Sequence, residues 1–245
     1  MYRKIEFNLM DILRELIYGS GYSLVQADDT SYLERINEFL LEIAALQEGC
    51  RDLESIDGLR ERITKLPESD INNLNIKLSS FPKFSSLLAN AFANTIRKLS
   101  GDELFLQRRA HVMFNTSDST HTRAMAHFDG MSGISPFAFT LWVPAHDVQD
   151  DSGIWVLDQK TSMRLVKKEG KNQCIMDEEV LGLDNLEPLN IDFSYGLIFN
   201  PFVMHGAYPH SSALARIGVS TRFQSRSKPL FIRNSEFFYP FNVRG

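Results

Sequence analysis

Two cysteines, Cys50 and Cys174, are all the chain has in 245 residues. They are far apart and neither sits in a C-x-x-C pair, which excludes a zinc ribbon and a disulfide framework and implies a reducing compartment. No apolar run reaches the length of a membrane span. The opening Met1-Tyr2-Arg3-Lys4-Ile5-Glu6 is too charged for a secretory leader, so a cytoplasmic location is expected. An excess of positive charge is missing too: a formal net charge of -5 and a pI near 5.7 give no electrostatic reason for a nucleic acid or an anionic membrane as partner. A small-molecule substrate is the expectation instead. No internal repeat, low-complexity linker or block of like charge divides the chain, so residues 1–245 read as one domain.

What is present changes character near residue 101. Up to there the apolar spacing is helical. Asn8 can cap a helix carrying Leu9, Ile12, Leu13, Leu16 and Ile17, with Gly19 to end it. A second helix follows Asp28-Asp29-Thr30, with Leu33, Ile36, Phe39, Leu40, Ile43 and Ala44 as its stripe and Gly49 as its stop. A third covers Asp52 to Lys65; Pro67 breaks the pattern, and a fourth starts at Pro82 and runs through Leu87, Leu88, Ala91, Phe92 and Ile96 to Gly101. From Glu103 onward the pattern is of short strands separated by turns: Leu104 to Asn115, Met125 to Asp129, Phe137 to Val143, Gly153 to Leu157, Met163 to Lys167, Gln173 to Met176, Leu189 to Ile191, Tyr195 to Phe199 and Arg216 to Gln224. Many short strands imply a sandwich or barrel. The expected fold class is therefore α+β: a helical half, 1–101, packed as support on a cupin-like jelly roll, 102–245. The apolar helix faces can cover the sheet or pair two subunits as a homodimer, and the sequence leaves both open.

Within the strand-rich half, Ala126-His127-Phe128-Asp129-Gly130 places an imidazole and a carboxylate one residue apart, on the same side of an extended backbone. A second histidine downstream would complete a metal triad. His205 ends the apolar run Gly196 to Met204 and precedes Gly206, as a residue at the end of a buried strand would. Two histidines and one carboxylate leave open positions on iron. Taken singly, a histidine is more often a hydrogen-bonded structural residue than a ligand; the combination is what carries weight. Arg216 follows His205, and in a strand it alternates with Gly218, Ser220 and Arg222, the small residues leaving space before a guanidinium that binds carboxylates by two parallel bonds. His210 paired with Arg222 is a rival register. His205 is preferred because His210 lies in the turn composition Tyr208-Pro209-His210-Ser211-Ser212.

The segments H-F-D at 127–129, L-W-V-P-A-H-D-V at 141–148, D-S-G at 151–153, Y-G-L-I-F-N-P-F-V-M-H-G at 195–206 and R-I-G-V-S-T-R-F at 216–223 resemble the phytanoyl-CoA dioxygenase branch of the Fe(II)- and 2-oxoglutarate-dependent oxygenases. H-F-D-G-M-S-G-I-S-P-F followed by L-W-V-P also resembles oxygenases encoded among bacterial carbohydrate genes. The resemblance implies a double-stranded β-helix, with His127, Asp129 and His205 as iron ligands and Arg216 on the far carboxylate of 2-oxoglutarate. Gln107, Trp142 and Ser220 would join Arg216 around the co-substrate. Fe(II), 2-oxoglutarate and O2 would then oxidise a C–H bond of a small molecule, with release of succinate and CO2, and the retained carboxylate at Asp129 would favour hydroxylation over halogenation. Phe128 would wall the pocket, Arg109, His111 and Asn115 are placed to contact substrate or to support those that do, and 130–133 and 167–172 are candidate lids. One departure is V-L-D-Q-K-T-S at 156–162, where the wider family continues into P-G-S-H, so nothing about substrate recognition by that loop carries over. Two other readings remain: a cupin-type isomerase or lyase, which keeps the triad but has no use for Arg216, and a binding module, which needs neither.

Overall fold

The computed structural model describes residues 9–47, 49–116, 126–149, 153–168, 186–208, 212–231 and 235–243. The chain opens with helix α1 (Leu9–Tyr18), and Gly21, at φ +85°, turns it into strand β1 (Tyr22–Gln26). A side chain at that turn would collide with Val203 and Asn200, so only glycine fits. Helices α2 (Ser31–Ala44), α3 (Ile56–Ile63), α4 (Glu68–Ser79), α5 (Phe84–Ala91) and α6 (Ala93–Ser100) follow. Strands β2 (Glu103–Gln107), β3 (His111–Asn115), β4 (Phe139–Pro144) and β5 (Ile154–Val156) come next, then helix α7 (Gln159–Lys168) and strands β6 (Tyr195–Phe199), β7 (His205–Ala207), β8 (Arg216–Ser225) and β9 (Phe238–Asn242).

Strand pairing is antiparallel throughout. The larger sheet runs β1-β6-β4-β8-β2-β9, with β3 also on β8, and β5 and β7 pair as a smaller sheet. Isolated bridges of His127 with His205 and of Ile154 with Leu189 widen the smaller sheet. This is the double-stranded β-helix. The alternation of β8 explains its two faces: Ile217, Val219 and Phe223 join the apolar core shared with the helices, whereas Arg216, Ser220 and Arg222 line a cavity. Leu40, Leu74, Phe84, Phe92, Leu141 and Ile198 belong to that same core, so α2, α4 and α5 cover the face of the sheet remote from the cavity, with α4 also reaching the cavity wall through Asn72 and Asn75. Among the described residues no helix is long and apolar enough to cross a membrane.

Several elements differ from the sequence expectation. The helical half contributes a strand, β1, whose five residues are too few for a clear period and which gains its place by pairing with β6. Pro67 begins a helix instead of only breaking one: at φ -56° it leads into α4, with Glu68 and Asp70 near the positive end of the helix dipole. The helix expected from Pro82 to Gly101 is two, because Phe92 leaves helical geometry at φ -120° and ψ 34°. The single strand expected over Leu104 to Asn115 is also two, since β3 pairs with the first half of the long β8 and β2 with its end. Met163 to Lys167 is helix, not strand. Asp158 sets this, its carboxylate accepting from Thr161 N at 2.9 Å and Thr161 Oγ1 at 2.6 Å, an N-cap that outweighs the β-propensity inside. Residues 173–176 and His210 lie outside the described residues, as do His121 and the end of the 167–172 segment.

Candidate active site

His127 and His205 are brought together by backbone pairing. Each donates its amide to the other's carbonyl, at 3.0 and 2.9 Å, so their side chains leave the bridge on one face with ring centroids 4.3 Å apart. Phe128 is extended at φ -127° and ψ 144°, which returns Asp129 to the face of His127. Asp129 then starts a 3-10 turn, Asp129–Ser132, anchored by Gly130 N on Pro201 O at 2.9 Å. Of the strand expected over Met125 to Asp129, Met125 lies outside the described residues and 126–129 form one bridge and the start of a turn, yet the convergence expected of H-x-D holds. Ligand atoms of His127, Asp129 and His205 lie within 4.8 Å of one another.

Protonation favours a cation at this point. His205 Nδ1 lies 3.0 Å from Val203 O, which can only accept, so the proton is on Nδ1 and the lone pair of Nε2 is left for the site. Burial first, and then the proximity of His127, lowers the His205 pKa to about 4, keeping the ring neutral. Burial pushes the Asp129 carboxyl upward, but the Arg222 guanidinium and a hydrogen bond from Thr140 overcome it and hold the group well below the usual carboxylate range. Arg222 grips both oxygens, Nε on Oδ2 at 3.0 Å and Nη2 on Oδ1 at 2.5 Å. Thr140 and Arg222 are register partners across β4 and β8, which is why they meet on one carboxylate.

A cavity of about 430 Å³ opens from this cluster. Arg216 and Ser220 line it from β8 and Trp142 from β4, as do Ile154, Phe199, Gly206 and Ala207, with Asn72, Asn75, His111, Met113 and Ser132 on other walls. Arg216 is 2% exposed, donates to the carbonyl of Gly153, and stands 5.9 Å from the Trp142 ring; burial lowers its pKa only to about 10, so it stays charged at neutral pH. Trp142 Nε1 is buried and has no hydrogen-bond partner among the described residues. An orphaned buried N–H beside a buried guanidinium is what a carboxylate-bearing ligand would satisfy. The imidazole, imidazole and carboxylate donors suit divalent iron. Both groups implied by the sequence therefore fit the residues present.

Other candidates fall elsewhere. Gln107 accepts from Arg222 Nη1 at 3.4 Å, so it stands behind Arg222 and outside the cavity wall. Asn115 donates to Tyr208 O at 3.2 Å, Arg109 is exposed, and Phe128 packs beside Met204 and Trp155. Sequence reasoning gave no role to Thr140 or to the pairing of Arg222 with Asp129, and it left Asn72 and Asn75 in a segment with no assigned helix. A lone threonine in the apolar run Phe137 to Val143 was the available signal for the first.

The fold is that of the non-haem, 2-oxoglutarate-dependent oxygenases. Solved structures similar to this chain include EctD from S. alaskensis with 2-oxoglutarate and 5-hydroxyectoine, at TM-score 0.56 and 14% identity over 94% of this chain and 80% of that one. HygX from Streptomyces hygroscopicus with nickel and 2-oxoglutarate bound gives 0.54 and 12% over 93% and 92%. The nickel complex of the non-heme monooxygenase ThoJ gives 0.55 and 11% over 97% and 84%. No family model matches the sequence, and no curated protein does.

Proposed function

We propose that this protein is an Fe(II)- and 2-oxoglutarate-dependent oxygenase that hydroxylates a small molecule, for which a carbohydrate or natural-product intermediate is the class in view. The observation that carries the reading is the convergence of His127, Asp129 and His205 in one cavity with the buried Arg216. Iron and 2-oxoglutarate, when bound, supply the oxidation of a C–H bond coupled to release of succinate and CO2. The protein's own residues do the positioning. His127 and His205 offer imidazole nitrogens and Asp129 one negative charge, on a face backed by β4 and β8. Arg216 takes the co-substrate's remote carboxylate, with Trp142 Nε1 and Ser220 beside it. Phe199 and Ile154 supply apolar wall. A non-oxidative metalloenzyme has no use for Arg216 as the anchor of a co-substrate's remote carboxylate, and that separates the two readings.

The test is anaerobic titration with Fe(II) and 2-oxoglutarate, following the visible charge-transfer band. Wild type should develop the band. His205→Ala should bind no iron; Arg216→Ala should bind iron but need at least about tenfold more 2-oxoglutarate. Iron binding without a band in wild type would leave the isomerase or lyase reading, and no iron binding at all would leave a binding module.

A further inference from the structure

Resting on that reading, we infer that the substrate is an anion, a small acid with one carboxylate, and that Arg222 is the residue that receives it. Among the described residues two arginines line the cavity, and the co-substrate requires one. Among the described residues lining it, Asp129 is the sole carboxylate. That leaves Arg222 as a second guanidinium on the wall, paired with Asp129 and with donors to spare. In a pocket walled by protein a guanidinium is costly unless anions meet it, and a second negative charge beside Asp129 meets the rest of its donors.

The donor count agrees. A guanidinium carries five N–H groups. Two of those on Arg222 point at Asp129 and a third makes the long 3.4 Å contact with Gln107. The side chain remains 16% exposed and lines the cavity. The walls nearby are donors more than acceptors. Asn75 accepts from Ser79 Oγ at 3.2 Å through its carboxamide oxygen, which leaves its NH2 group as the end that can serve a ligand. His111, whose register partner Ser220 lies two residues from Arg222 on β8, completes that side. Asp129 is already the shared partner of Thr140 and Arg222, so a metal held by the same carboxylate would weaken what Arg222 receives from it and would leave the guanidinium donor capacity for the substrate.

The probe is acetate, against acetamide and methylammonium, titrated at constant ionic strength into the Fe(II)- and 2-oxoglutarate-loaded protein under nitrogen. Acetate should shift the charge-transfer band without bleaching it and raise the thermal midpoint, while acetamide and methylammonium do neither. Arg222→Gln should weaken the acetate effect about tenfold or more, and Arg222→Lys should keep part of it. The inference is overturned if acetate acts no more strongly than acetamide on wild type, if it acts equally on Arg222→Gln, or if it bleaches the band by displacing 2-oxoglutarate. Should Arg222→Gln lose iron, the wild-type comparison of the three probes still decides. Should wild type bind iron without forming a band, the co-substrate reading has failed, and the same titration followed by thermal midpoint on the metal-loaded protein tests Arg222 by itself.

Discussion

Both oxygens of Asp129 are engaged by side chains of neighbouring strands, Arg222 on each and Thr140 on Oδ2. The effect of such partners on a metal site is orientation: a carboxylate that cannot rotate presents its remaining lone pair in one direction. Thr140→Val keeps the shape and removes the hydroxyl. A hydrogen bond to a charged group contributes roughly 1.5 kcal/mol or more, so the variant should bind Fe(II) about tenfold more weakly, read by competition with a chelator of known affinity. Unchanged affinity would mean that Arg222 alone fixes the carboxylate. Of this constellation the sequence disclosed the triad but not its supports. H-x-D is readable because period-2 alternation is local; the contact of Thr140 with Asp129 depends on which strand lies beside which, and no short-range pattern encodes that.

At the level of elements, β8 carries most of the design, because its ten residues put Arg216, Gly218, Ser220 and Arg222 on one face and apolar residues on the other. Gly218 matters for what it leaves out. A Cβ there would stand 2.6 to 2.7 Å from three atoms of the Trp142 indole, a rigid neighbour that cannot fold away. Gly218→Ala should therefore cost about 1–3 kcal/mol in urea unfolding. It should also raise the 2-oxoglutarate concentration needed for half-saturation, since the displaced indole is the one beside Arg216. A stable variant with unaltered 2-oxoglutarate affinity would remove Trp142 from the co-substrate site. The alternation of β8 was legible in the sequence, as was the apolar run of β6. α7 was misread because its interior suits a strand and the deciding residue, Asp158, sits before it; β1 was missed because a five-residue segment takes its identity from β6, more than a hundred and sixty positions later.

Across the whole molecule, the helical layer is fastened to the sheet by polar hooks at the strand ends as well as by the apolar core. Asn37 Nδ2 reaches Ala145 O and Arg60 Nε reaches Ala215 O, each at 2.9 Å, where β4 leaves the sheet and β8 enters it. His146 lies between these anchors. Ile217 N donates to its Nε2 at 3.2 Å, and its Nδ1 is 2.8 Å from Asp147 O, so this fixes the neutral tautomer with the proton on Nδ1. A second proton would set N–H against N–H. Burial first, and the nearby Arg60 second, lowers the His146 pKa to about 4. Between that value and the unfolded value near 6.5, the unfolded chain holds a proton that the folded one does not, so stability falls as pH falls through this window and is fully present above it. The loss at pH 4 from this residue is about 3 kcal/mol. His205 acts in the same direction, so His146 must be isolated by difference: in metal-free protein, urea unfolding free energies of wild type and His146→Gln should be compared from pH 7.5 to 4.5. Wild type should lose stability more steeply than the variant by about 1.4 kcal/mol per pH unit in the middle of the window, the slope of one proton. Parallel slopes would show that His146 takes up its proton in the folded state without disturbing the junction, and that the acid sensitivity of the molecule resides in the site and not in the seam between helices and sheet.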